Sequence, residues 1–576
     1  MPHTLTRSRL AFGLGLPALS LLLACGGASS SSGPASAPAT NPAAPKATLQ
    51  SADPFWTTDA PIRPAVAPLF RQFQTPGAII ALSPREAAEA AAAPAPSASE
   101  PAQTLLTGPA LAPQLRIVVG LRSLSFHQDN TTTLQPLDLS ATPIQALVPN
   151  ASGGFDTLMG AGHSDGTFSI PNVPEGYYWL RFGSTYVWTS SSYVDWSNDL
   201  FGRADGVYPG NSPTTLSLSL TGLNPWQAQD DLVWDVPVQG TALALPLGSA
   251  DIANAPAPGA TALAGFSLNF AGNDIQFPLL DGTKGDQAYL NQLTTRPAGA
   301  ETYRALAKSF VAPATTMTDG GTTNLSGGFL DVPQASSLRL NWQRSAFAAL
   351  APGVNPAAVP SGSFFFTYAY PLPSSYGLPA NAFELLDYTG PGTGDVDLGD
   401  LPYGNPFPAS WSVAAETYEA FNVSYLAPGA TSPLVLTRYS YQATTTLPTA
   451  ATPVTPLLGP IQAPKINGKD LFANQLSVGT NPTLSWNPPS VGAPSGYVIS
   501  CYRLFASGTG SSIQTVGRFR TRTTSIKLPS GILAAGNTYV FTIAAIRANG
   551  VDLGTTPFKT ALPYAFTTSM SAIVAP

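Results

Sequence analysis

The 576-residue chain has only three histidines, His3, His127 and His163. A Ser-His-Asp relay needs one of these imidazoles as its base, and Asp156 and Asp165 lie close to His163 in sequence. The chain contains no H-E-x-x-H zinc motif, and His127 and His163 read as surface-loop residues. Asp395, Asp397 and Asp400 place three carboxylates within six residues, around Gly399. Hard cations favour such oxygen ligands, but the following residues (LPYGNPFP) supply no further acid to close a regular calcium loop. An acidic exposed turn is the default there and a calcium site the alternative. Asp230, Asp231 and Asp235 form a similar, sparser cluster. Glycosidase chemistry needs two carboxylates roughly 5–10 Å apart. Among 32 acidic residues no spacing singles out such a pair.

The densest chemical signal is aromatic: Tyr177, Tyr178, Trp179, Phe182, Tyr186, Trp188, Tyr193 and Trp196. Exposed rings stack on sugars or bury themselves in a partner protein. Trp188, Tyr193 and Trp196 are the candidate ligand-binding residues. Strand alternation predicts that Tyr177 and Trp179 share one sheet face, with Tyr178 on the other.

There are two cysteines. Cys25 follows a basic segment with Arg7 and Arg9 and the uncharged run Leu10 to Ala24. The run is too short for a comfortable permanent span, which takes roughly 20 apolar residues, and with its basic flank it reads as a secretory signal over 1–24. Leu22-Leu23-Ala24-Cys25 followed by Gly26 resembles the bacterial lipobox. That resemblance implies a diacylglycerol on the Cys25 thiol, cleavage just before it, and acylation of the new amino group. Several acyl chains anchor firmly where one is marginal. Gly26 is compatible with sorting to the outer membrane, so the expected location is the cell envelope, lipid-anchored, at the outer membrane or cell surface. With Cys25 lipidated, Cys501 has no disulfide partner; its alternating context (GYVISCYRL) makes it a buried small apolar residue.

Hydrophobic residues are 44% and aromatics 10%, which is ample for real cores, while charged residues are only 10% against a usual value of about 25%. Net charge is −6, and the basic residues are scattered, which argues against nucleic-acid binding. Arg518, Arg520 and Arg522 alternate onto one strand face, read as a solvated face. No metal or cofactor is otherwise implied.

The elements that must position these residues are strands. Pro (58) and Gly (52) punctuate the sequence, and Val, Thr, Tyr and Phe alternate with polar residues between them. This predicts an all-β fold of tandem β-sandwich domains after a lipidated tether. The tether, 25–113, is Ser/Ala/Pro-rich and expected to be largely disordered. Within it Arg85 to Ala93 could turn helically, and Phe55-Trp56 and Leu69 to Phe73 could pack on a later domain. Two helices are expected in the body, Trp342 to Leu350 and Asp286 to Leu306.

Leu115–Leu121 (LRIVVGL) opens a domain over 114–222. Its Asp165-Gly166-Thr167-Phe168-Ser169-Ile170 strand, Val173-Pro174-Glu175-Gly176 turn and Tyr178-Trp179-Leu180 strand resemble the carboxypeptidase regulatory-like, transthyretin-like sandwich. Members of that fold serve as structural or carrier modules. The stretch 461–576 resembles a fibronectin type III domain. Trp486 in PTLSWNPP stands at the core tryptophan position, Tyr497 lies on the following strand, and Tyr539 stands where a tyrosine corner pins an inter-sheet crossing. Between them 223–460 is β-rich and unassigned, one domain or two, with the Pro-rich 446–464 as linker. The functional expectation is a non-enzymatic envelope lipoprotein that binds or scaffolds a surface polysaccharide or another envelope protein. The alternative is a carbohydrate-active hydrolase with its site in 223–460.

Overall fold

The computed structural model describes residues 79–81, 114–128, 131–210, 212–245, 252–270, 278–371, 382–390 and 392–576. The chain divides into Met1–Ala52 and Asp53–Pro576, and the first of these lies wholly outside the described residues. So do Cys25, the signal segment and the tether up to residue 113 apart from Ile79–Ala81. The expected tether helix and the Phe55 and Leu69 packing segments fall there too.

The described body is all-β, built from sandwiches in tandem, as the alternation predicts. In the first, the strands Tyr193–Asp195, Leu115–Leu121, Thr167–Pro174 and Ala161–Gly162 form one sheet. Phe155–Met159, Ile144–Pro149, Tyr178–Phe182 and Thr185–Thr189 form the sheet facing it. Val118, Ile144, Phe168, Ile170, Leu180 and Val187 fill the space between them. The turn that reverses the chain at Asp165-Gly166 is held by the Asp165 carboxylate, which accepts from the Thr167 amide at 3.0 Å and its hydroxyl at 2.6 Å.

A second sandwich sets Thr215–Thr221, Ala262–Asn269 and Thr322–Gly328 against Asp231–Val236, Tyr289–Ala298 and Glu301–Val311, over Leu216, Leu218, Trp234, Phe266 and Leu290. A third sets Ser336–Trp342 and Val396–Tyr403 against Phe383–Gly390, Val359–Tyr370, Ser412–Leu426 and Leu434–Thr444, over Trp342, Phe347, Phe365 and Tyr388. The helix expected over Trp342 to Leu350 is present as the shorter Arg344–Ala348, and a second short helix, Ala351–Val354, follows it beyond the expected end.

The other expected helix is a correction. Asp286 to Leu306 folds as the hairpin Tyr289–Ala298 and Glu301–Val311, paired from Tyr289↔Val311 to Ala298↔Glu301. Gly299, at φ +65°, supplies the left-handed residue of the turn. Residues 290–294 are buried on both faces, and such a strand shows no period-two pattern to tell it from a buried helix.

The last sandwich has Lys469–Asp470, Gln462–Ile466, Thr483–Asn487 and Ser525–Lys527 in one sheet. Gly510–Thr521, Gly496–Ser507, Thr538–Ala548 and Tyr564–Met570 run in order through the other. This three-plus-four arrangement, with a short extra strand, is an immunoglobulin- and fibronectin-like sandwich. Trp486 and Tyr497 pack edge-to-face in its core at 5.1 Å. The Ala534 amide donates to the Tyr539 hydroxyl at 2.8 Å, the bond a tyrosine corner requires. Cys501 is fully buried, and burial pushes its thiol well above the ordinary range.

The sandwiches are also bonded edge to edge. Arg304↔Asp387 and Ala305↔Leu386 join the second to the third. Ser440↔Thr567 through Ala443↔Tyr564 join the third to the last. Thr185↔Arg518, Tyr186↔Phe519 and Val187↔Arg520 join the last to the first in parallel register. One 18-stranded sheet results. The first sandwich is thus held by the last, although the second follows it in sequence.

Candidate functional site

The Val-Pro-Glu-Gly turn delivers Tyr177 to the surface just before the strand Tyr178–Phe182. The turn is clamped on both sides. Arg116 Nη2 donates to the Gly176 carbonyl at 2.9 Å, and the Tyr178 hydroxyl donates to the Ser191 carbonyl at 2.7 Å. Tyr178 points into the first core, so Tyr177 and Trp179 share the opposite face, as alternation requires. Both meet Trp188, which sits across from Trp179 on Thr185–Thr189. The Tyr177 ring stacks on Trp188 at 5.7 Å and 15°, while Trp179 tilts against it at 4.9 Å. Phe155 meets the same indole edge-on at 6.5 Å.

Tyr177 is 51% exposed, Trp188 and Phe155 are half-buried, and Trp179 is sealed beneath. What seals it is the last sandwich: Phe519 lies 5.5 Å away, and the Trp179 indole donates to the Lys527 carbonyl at 3.2 Å. The hairpin before Phe155 is held by Asn150, whose Oδ1 accepts from the Gly154 amide at 2.9 Å and whose Nδ2 donates to Asp156 at 2.7 Å. The Lys527 ammonium reaches the same hairpin, within 3.5 Å of the Cβ position at Gly153. The result is a fixed aromatic surface, with exposed Glu175 in the turn that carries Tyr177 and exposed Lys527 beside the Phe155 hairpin.

The structure does not bring Trp188, Tyr193 and Trp196 together on one surface. Trp196 is only 2% exposed, wedged between Phe182 at 4.4 Å and Phe558 at 5.3 Å, so it is a core residue at the junction with the last sandwich. Tyr193 is exposed but lies on the opposite sheet. It borders an open groove of about 430 Å³ with Val119, Leu121, His163 and Thr167. Tyr177 stood in the aromatic run but not among the candidate ligand-binding residues, and Phe155 stood in neither. The turn preceding Tyr177 was the available signal; Phe155 had none.

The three carboxylates at 395–400 do not converge. Asp395 accepts from the Ser345 amide at 2.9 Å, and Asp397 pairs with Arg339 at 2.7 Å. Asp400 faces solvent. Among the described residues no group of three or more His, Cys, Asp or Glu side chains is placed to hold a metal ion. His163 does occupy an exposed turn, but His127 is a correction. It is 4% exposed on Ser123–Gln128, with Nε2 2.8 Å from Asp199 and Nδ1 3.0 Å from the Thr132 hydroxyl. Asp199 also accepts from Lys559 of the last sandwich at 2.7 Å. Arg520, expected on a solvated face, is 3% exposed; it lies 4.3 Å over the Phe558 ring and donates to the Pro557 carbonyl at 2.9 Å.

Several acids of 223–460 turn inward. Arg304 bonds both oxygens of Asp387, at 3.0 and 2.9 Å, and reaches Asp231 at 3.1 Å. Glu384, 6% exposed, joins this group. Burial and the neighbouring Asp387 push its carboxyl well above the usual range. Burial pushes Asp231 up to about 6 against the pull of Arg304. Glu416 accepts from the hydroxyls of Tyr370 and Tyr418, and Glu419 accepts from Ser363.

No family model matches the chain, and no curated protein matches it. Solved structures give only distant likenesses. A leucine-rich repeat protein from Bacteroides thetaiotaomicron is 10% identical over 41% of this chain, which spans 28% of that protein, at a TM-score of 0.11. Titin domains are 8% identical, covering 64% of this chain and 96% of theirs, at 0.13. Sidekick-1 immunoglobulin domains are 10% identical, covering 80% and 100%, at 0.09. The sandwich assignment accordingly rests on the strand pairing of this chain.

Proposed function

We propose that the protein is a lipid-anchored component of a bacterial cell envelope, attached through Cys25, that serves without catalysis as a binding and scaffolding module. Its partner is a surface polysaccharide or another envelope protein. On this reading the first sandwich is a carboxypeptidase regulatory-like module and the last a fibronectin type III domain. The observation that carries the proposal is the edge-to-edge bonding of the sandwiches. Backbone ladders between modules resist relative motion, which suits a part that must hold a recognition surface in fixed orientation. The buried acids of the middle region support the non-catalytic reading, since Arg304, Ser363, Tyr370 and Tyr418 already engage them.

The test is metabolic labelling with palmitate and fractionation of the producing cells, for the wild type and Cys25→Ser. Incorporation of label into the wild-type envelope fraction, lost in the variant, is the expected result. A wild-type chain that takes up no label and stays in the soluble fraction would overturn the anchoring. A pull-down from solubilised envelope protein and polysaccharide that retains nothing would overturn the recognition role.

A further inference from the structure

We infer that the Tyr177–Trp188–Phe155 surface is a glycan-binding site that seats the C–H face of a pyranose ring on Tyr177. The inference rests on the recognition role proposed above and assigns that role a site and a ligand class. A pyranose offers a flat apolar face edged by hydroxyls, so its binding site needs an aromatic plane with polar groups around it. Both are present. Tyr177 turns one face to Trp188 and leaves its ring 51% exposed. Glu175, in the turn two residues before Tyr177, supplies an exposed carboxylate to accept from hydroxyls, and Lys527, beside the Phe155 hairpin, supplies a donor.

Preorganisation separates this surface from a stray exposed tyrosine. Binding affinity is lost when loops and side chains must be ordered at the moment of contact. Here the turn carrying Tyr177 is clamped through Gly176 by Arg116, the ring is seated on an indole, and the Phe155 hairpin is tied by Asn150. The indole itself is backed by Trp179, which the last sandwich locks through Lys527 and Phe519. The site therefore spans two sandwiches that are far apart in sequence, and it exists only while the Thr185–Val187 seam is closed. The platform face is uncharged, so binding should be nearly independent of ionic strength, unlike capture of an anionic polymer by a basic patch.

The experiment is affinity electrophoresis and calorimetry of the full-length protein in detergent, at low and high salt. The probes are soluble β-1,3-glucan, β-1,4-glucan, dextran, polygalacturonate, and the polysaccharide stripped from the producing cells. The expected result is salt-insensitive binding of at least one polymer. It should be weakened about fivefold by Tyr177→Ala and restored by Tyr177→Trp, since a lost aromatic contact is worth roughly a kcal/mol. Tyr193→Ala, on the opposite sheet, should bind as wild type. Failure to bind any probe, binding unchanged by Tyr177→Ala, or binding abolished by salt would each overturn the inference. A protein that labels with palmitate yet binds no glycan sinks this site alone and leaves the anchoring intact.

Discussion

Asp235 lies fully buried on Asp231–Val236, its Oδ2 accepting from Asn291 Nδ2 at 2.7 Å. Its Oδ1 and the Asn291 Oδ1 have no hydrogen-bond partner. A proton on the carboxyl removes the buried charge and makes it a donor as well as an acceptor. Burial, only partly offset by Asn291, pushes this carboxyl up to about 8. An acid held above its unfolded value of about 3.9 keeps a proton in the folded state that the unfolded chain has released. Its contribution to stability is whole below that unfolded value and is lost as pH rises toward 8. Asp235→Asn keeps the shape without the charge. The variant should match wild type near pH 4 and exceed it increasingly, by on the order of a few kcal/mol near pH 8. Urea melts across that range check this, and a difference that stays flat with pH would show that the buried carboxyl is not neutral. Residues such as Tyr539, Trp486 and Cys501 were legible in sequence because a few neighbours along the chain define their surroundings. Trp196 and Arg520 were not, because Phe558 and Pro557 complete their surroundings from another part of the chain.

At the scale of elements, the strand Glu301–Val311 carries the second-to-third seam through only two paired positions, Arg304↔Asp387 and Ala305↔Leu386. The Arg304 guanidinium bonds Asp231 and Asp387 and acts on the neighbouring Glu384. Arg304→Met leaves Asp387, only 3% exposed, without its cationic partner, and should cost roughly 3–5 kcal/mol. Adding Asp387→Leu should recover part of that loss, because much of the penalty lies in the stranded Asp387 charge while Asp231 still lacks its partner. Chemical denaturation of the single and double variants measures both, and a double variant no better than the single would refute the account. The end of the first sandwich crosses the second at a close backbone approach. A Cβ at Gly202 would stand 2.2 Å from the Gln239 carbonyl carbon, and one at Gly240 would stand 2.4 Å from the Phe201 carbonyl oxygen. Both residues have positive φ, +87° and +66°. Strand existence was legible here from alternation and turn residues. The hairpin 289–311 was not, because burial on both faces erased its alternation.

At the scale of the whole described body, the sheet turns sandwich edges from liabilities into joints. An unpaired edge presents a row of free backbone donors and acceptors that recruits other chains. Here the edge at Thr185–Thr189 is covered by Gly510–Thr521, and the edge at Leu434–Thr444 by Tyr564–Met570. Both covering strands belong to the last sandwich, whose core also takes in Leu147, Trp179 and Tyr186 of the first. None of this could be read from sequence, since local pattern reports which face of a strand is apolar and not which distant edge it meets. The arrangement predicts that the last sandwich is structurally required by the first. A chain ending at residue 460 should lose the Trp179 seat, expose two strand edges, and associate at concentrations where the full chain is monomeric. Light scattering would detect the association, and tryptophan fluorescence would report solvent reaching Trp179. In the intact protein the first and last sandwiches should melt as one transition. Two separate calorimetric transitions for them, with the truncated chain monomeric and its Trp179 still shielded, would mean that the parallel seam Thr185–Val187 joins independent domains.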